Sequence, residues 1–246
     1  MSWVARHRRL LLASAALLLL LVGGWAMLTA TVTTRQGIDY LVTEQRLPVY
    51  VKAIDFIHRH EQYALIVSGI AGGQTSDAGR ALAVFDWTRR NIRRTPPGWP
   101  VVDDHVLHII IRGHGMDDQQ ADVFATLTTY AGVPAFLCRM PIDRRRPGVV
   151  LSFARIDGRW RVFDVGNGFI FRNAAGALAT IEELAGHPDL VPEAARPIVV
   201  DGVPYQEIVT HLSMPPIPQP LRAELQMPLP RIWHEVKAAA RFESTE

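Results

Sequence analysis

The chain has 246 residues, 48% of them hydrophobic and 20% charged, which is enough apolar material for a buried core and excludes wholesale disorder. The formal net charge is +2, and much of the small basic excess lies in Arg6, Arg8 and Arg9, so charge gives no argument for nucleic-acid binding. A single cysteine, Cys138, excludes an internal disulfide in any compartment.

Residues 1–9 form a basic N-terminal segment, and residues 10–30 follow without a charged side chain. That is close to the roughly 20 apolar residues a helix needs to cross a bilayer. The basic front edge belongs on the cytoplasmic side and Trp25 suits the far interface. One transmembrane helix is therefore expected over 10–30, single-pass in the inner (cytoplasmic) membrane, with the N-terminus cytoplasmic and the remainder periplasmic. A cleaved signal peptide competes with this reading, but its apolar core would be shorter and would end in a small-x-small site.

From 36 to 67 apolar residues recur at helical spacing around a break at Pro48, which predicts two helical stretches. Ser76 and Asp77 then offer an N-cap for a helix to about Ile92. His105-x-x-His108 leads into Ile109-Ile110-Ile111, a predicted strand, so the two imidazoles would point to opposite faces. Residues 117–131 predict a helix closed by Gly132 and Pro134. Extended runs follow at 133–140, 149–156 and 159–165, with Asp157-Gly158 as the turn between the last two. A capping box spans Thr180 to Glu183, and an extended pair flanks Asp201-Gly202. Residues 214–230 form a proline-rich arm, and a basic amphipathic tail covers 232–242. Helices first and an antiparallel sheet second is the α+β order, with one domain over 31–212 and the arm and tail over 213–246.

Four stretches in this order carry a resemblance. They are the helix from Asp77 to Trp87, the glycine-bracketed start Gly113-His114-Gly115-Met116-Asp117-Asp118-Gln119-Gln120, the run Gly132-Val133-Pro134-Ala135, and the hairpin Asp157-Gly158-Arg159-Trp160 with Asp164 beyond it. Together they cover roughly 77–168 and resemble the transglutaminase-like superfamily, whose architecture papain-type cysteine peptidases share. The resemblance implies a transglutaminase-like (papain-like) domain with helices packed on an antiparallel sheet. It also implies a cysteine at the start of the central helix, a histidine at the start of a following strand and an aspartate after the hairpin. Such a set works because a helix N-terminus favours thiolate, the imidazole moves the proton and the carboxylate orients the imidazole.

Carried onto this chain, those positions fall on Asp117, Val149 and Asp164, so only the aspartate is kept. Cys138 lies mid-strand and reads as a small buried hydrophobe. The resemblance thus implies a domain without thiol chemistry, similar to those associated with bacterial exopolysaccharide and cell-envelope systems, in an accessory binding or assembly role.

Other readings stay open at this level. Asp117 can serve as an N-cap completed by Gln120, or Asp117 and Asp118 can face Asp164 as a carboxylate pair of a glycan hydrolase or lyase. Residual acyl-transfer or peptidase activity is a further alternative. His114, Asp118, Gln119 and Trp160 are cleft candidates, with Trp160 also suited to the core. His105, His108 and His114 with Asp103, Asp104, Asp117 and Asp118 form the densest set of metal-ligand types, but no metal or cofactor is expected. Arg139, Arg144, Arg145, Arg146, Arg155, Arg159, Arg161 and Arg172 make the sheet region basic, either as a solvated face or as a surface for an anionic polysaccharide, phospholipid headgroups or envelope assembly proteins.

Overall fold

A computed structural model describes residues 3–103 and 105–243, without side chains at 3–6, 9, 27 and 239–243. Helix α1 (Trp3–Thr29) carries the leucine run, and its described side chains over 10–26 are all exposed. Among the described residues no helix is long and apolar enough to cross a membrane. The transmembrane helix expected over 10–30 is therefore not established by the fold.

Strands β1 (Thr31–Ile38) and β2 (Leu41–Pro48) form an antiparallel hairpin in which Thr31 faces Pro48 and Ile38 faces Leu41. This replaces the first of the two helical stretches expected over 36–67. The β-branched run Thr31-Val32-Thr33-Thr34 favours extended backbone. Asp39 and Tyr40 close the turn at φ 48° and 66°, without the usual glycine. Helix α2 (Val49–Ala71) is the second expected stretch. Helix α3 (Asp77–Asn91) starts where its cap predicts, the Ser76 hydroxyl accepting from Gly79 N at 3.0 Å.

Short strands β3 (Arg93–Arg94) and β4 (Val102–Asp103) follow, the latter pairing with β1. Helix α4 (Val106–Arg112) stands where a strand is expected. Val106, Leu107 and Ile109 are buried while His108 and Ile111 are exposed, a helical period that the isoleucine run conceals. Gly113 ends it at φ 72°, in the left-handed conformation that glycine adopts freely. Strand β5 (His114–Gly115) pairs parallel with β3, and helix α5 (Asp117–Tyr130) follows at once, buried over most of its length.

Strands β6 (Ala135–Met140), β7 (Val149–Ile156), β8 (Arg159–Asp164) and β9 (Phe169–Ile170) form one antiparallel sheet in that order. The expected turn at Asp157-Gly158 has φ 51° and 75°. The alternation of β7 sends Ala154 and Ile156 into a core with Phe85, Phe124 and Phe163 on the helical side, and Val149, Leu151 and Phe153 into a second core on the other. That second layer includes α6 (Ile181–Leu184), a hairpin of β10 (Val199–Val200) and β11 (Val203–Pro204), and α7 (Tyr205–Thr210). Thr180 and Glu183 make the predicted reciprocal capping bonds, at 2.9 and 3.2 Å. The proline-rich arm returns to the helical side, where Arg222 pairs with Asp122 of α5 at 2.9 Å and Tyr130 donates to Gln226 O at 2.8 Å. Helix α8 (Pro228–Glu243) closes the described chain. The whole is a mixed α+β fold with helices packed on an antiparallel sheet.

Candidate functional site

The N-terminus of α5, the start of β7 and the end of β8 meet at a cleft of about 330 Å³. Its lining comprises Arg94, Asp117, Arg139, Gly148, Val149, Val150, Asp164, Asn167 and 198–201. The three positions Asp117, Val149 and Asp164 therefore lie around one cavity although 47 positions separate the first from the last.

Asp117 does not cap α5. The N-cap is Met116, whose N–H donates to Gln119 Oε1 at 3.0 Å, so the capping carboxamide is Gln119 rather than Gln120. Asp117 instead opens the first turn, where a carboxylate complements the helix dipole. Its Oδ2 accepts from Arg94 Nη2 at 2.9 Å, and its Oδ1 is buried without a partner. The parallel β3–β5 pairing delivers Arg94 to this end of α5. Gly166 packs against the same carboxylate, since a Cβ there would sit 2.9 Å from Asp117 Cβ.

Asp164 is fully enclosed. Its Oδ1 accepts from Asn167 N at 2.9 Å, and its Oδ2 accepts from Asn167 Nδ2 at 2.8 Å and from Tyr205 Oη at 2.5 Å. Burial pushes the Asp164 carboxyl above the ordinary carboxylate range, opposed by the bonds from Asn167 and Tyr205. Arg89 fixes the following turn by donating to Val165 O at 3.0 Å and Gly166 O at 2.9 Å. Val149 begins β7 beside Gly148, whose φ of 69° and close approach to Met140 O leave no room for a side chain. Gly148 N donates to Asp201 Oδ2 at 3.2 Å, which draws the β10–β11 turn over the cleft.

The remaining candidates scatter. Asp118 pairs with Arg139 at 3.4 Å near the rim. Gln119 is a structural brace, donating to Val102 O while it caps α5. His114 leaves the cleft, stacking edge-on against Trp99 at 5.2 Å, and burial together with Arg112 holds its pKa below that of an ordinary imidazole. Trp160 is not a cleft residue either; it packs on the second core against Phe136, ring centroids 5.0 Å apart.

Cys138 is half-buried on the sheet face opposite Arg139, and burial raises its thiol pKa, the reverse of what an attacking thiolate requires. His105, the N-cap of α4, and His108 in its first turn have ring centroids 6.0 Å apart, but no group of three metal-ligand side chains converges among the described residues. Asp104, a member of that expected cluster, lies outside the described residues. The basic sheet region is also divided. Arg161 turns inward to Leu178 O and Glu183, and Arg146 is held by Asp143, while Arg144, Arg145, Arg155 and Arg159 are exposed.

Arg94, Asn167, Asp201 and Tyr205 are not among the site candidates that the sequence offers. Asp164-Val165-Gly166-Asn167-Gly168 does carry a turn signature that points to Asn167. Tyr205 comes from 41 positions downstream with no local signal.

No family model matches the chain, and no curated protein matches it. Solved structures that align with part of it include one described as a candidate protease from Parabacteroides distasonis, at 11% identity over 42% of this chain and 23% of that one, with a TM-score of 0.36. Another is described as a candidate cysteine protease from Cytophaga hutchinsonii, at 16% identity over 48% of this chain and 40% of that one, with a TM-score of 0.37. The chain thus spans well under two thirds of either protein, and neither alignment bears on what it does.

Proposed function

We propose that this chain is a membrane-tethered, transglutaminase-like protein without thiol chemistry, acting as a binding or assembly accessory in bacterial envelope or exopolysaccharide biosynthesis. The observation that carries the reading is the makeup of the cleft. The three positions of the family's triad surround it, but its lining holds no cysteine and no histidine, and Arg94 and Arg139 stand there instead. Each guanidinium pairs with one carboxylate, which leaves further donors for an anionic group of a partner such as an acidic polysaccharide. Tethering is supported by the uncharged stretch at 10–30 and by the leucines that α1 leaves exposed. With the basic edge inside, the proposal has the domain in the periplasm.

A carboxylate-dependent hydrolase is the weaker reading because both oxygens of Asp164 are already bonded within the fold. Complementation separates the two in the cell of origin, with surface-polymer output as the readout. Asp117→Asn leaves output unchanged under the binding reading, whereas Arg94→Glu with Arg139→Glu lowers it severalfold. Loss of output in Asp117→Asn at an unchanged melting temperature would transfer the case to carboxylate chemistry.

A further inference from the structure

Helix α8 carries its apolar side outward. Among its described side chains it half-buries Pro228, His234 and Ala238, and its principal contact is the 3-10 turn Glu224–Gln226. Leu229, Ile232, Trp233 and Val236 recur at i, i+3, i+4 and i+7, yet each is at least 53% exposed. Arg231 is paired with Glu235 at 2.7 Å, so among the described side chains of the helix Lys237 supplies the uncompensated charge. Its ammonium sits 4.9 Å from the Trp233 ring centroid, at the edge of the apolar stripe.

A sixteen-residue helix gains little stability from its own backbone in water, so a stripe of this kind needs an apolar phase or a partner. An apolar stripe containing tryptophan, bordered by lysine and backed by a polar face, is the pattern of a helix lying flat in a bilayer interface. The cationic border favours an anionic lipid surface over an acid-poor protein groove.

We propose that α8 lies in the plane of a membrane interface, with Leu229, Ile232, Trp233 and Val236 among the acyl chains and Lys237 at the anionic headgroups. This contact is additional to the tether and does not require α1 to span the bilayer. It holds the domain against the surface rather than on a free stalk.

The test uses the full chain in phosphatidylethanolamine–phosphatidylglycerol vesicles. Single cysteines replace Ile232, Glu235 or Val236 on a Cys138→Ala background, and each carries a nitroxide label. Under the proposal the labels at 232 and 236 are several-fold more accessible to oxygen than to a water-soluble nickel chelate, and the label at 235 shows the reverse. Equal chelate access at all three positions in vesicle-bound protein overturns it. Spin–spin broadening at 232 and 236 that grows with protein-to-lipid ratio also overturns it, by assigning the stripe to a second copy of the chain.

Discussion

Asp164 is a buried carboxylate whose partners all come from within the fold. Its carboxylate accepts from Tyr205 and Asn167. Because burial raises its pKa, the folded chain binds the proton more tightly than the unfolded one, where an aspartate titrates near about 3.9. The favourable contribution is full below that value and is lost as pH rises through the folded pKa. Asp164→Asn removes the titration and should gain on the wild type with rising pH, by up to about 1.4 kcal/mol for each unit crossed. Urea unfolding of both proteins at pH 4 and pH 8 measures this, and a difference that does not change with pH would contradict the assignment.

At the scale of elements, the proline-rich arm is fastened by few polar contacts, of which Arg222 to the buried Asp122 is the most exposed to mutation. Burial raises the Asp122 pKa and Arg222 opposes that rise. Arg222→Ala should cost about 1–2 kcal/mol, less than a fully buried pair because the arginine is largely in water. Trypsin should then cut faster at Arg231, in the first turn of α8 just beyond the arm, and unchanged cleavage would show that the Tyr130–Gln226 bond and packing at Leu221 hold the arm without the ion pair.

Elements with strong local chemistry were legible in the sequence. Ser76 marked α3, Asp157-Gly158 marked the β7–β8 turn, and Thr180 with Glu183 marked α6. Two others were not. The β1–β2 hairpin turns on Asp39-Tyr40, which carries no glycine, and its apolar residues mimic a helical period. The three isoleucines of α4 have strand propensity, but burial of Val106, Leu107 and Ile109 against the helical core overrides it. The candidate site was partly legible: Asp117, Val149 and Asp164 line one cleft, whereas Arg94, Tyr205 and Asp201 arrive through pairings distant in sequence.

For the whole molecule, an exposed leucine-rich helix and an outward-facing amphipathic helix flank a domain whose cleft at the start of α5 has no cysteine and no histidine among its lining residues. The proposed function requires that cleft to have the geometry of a thiol site with other groups in the reacting positions. Asp117→Cys with Val149→His, on a Cys138→Ala background, tests this through the pH dependence of alkylation by iodoacetamide. If the geometry is retained, the first turn of α5, Arg94 and the new imidazole should bring the thiol pKa to about 7.5 or lower. A thiol that titrates near about 8.5, like a free cysteine, would contradict the account.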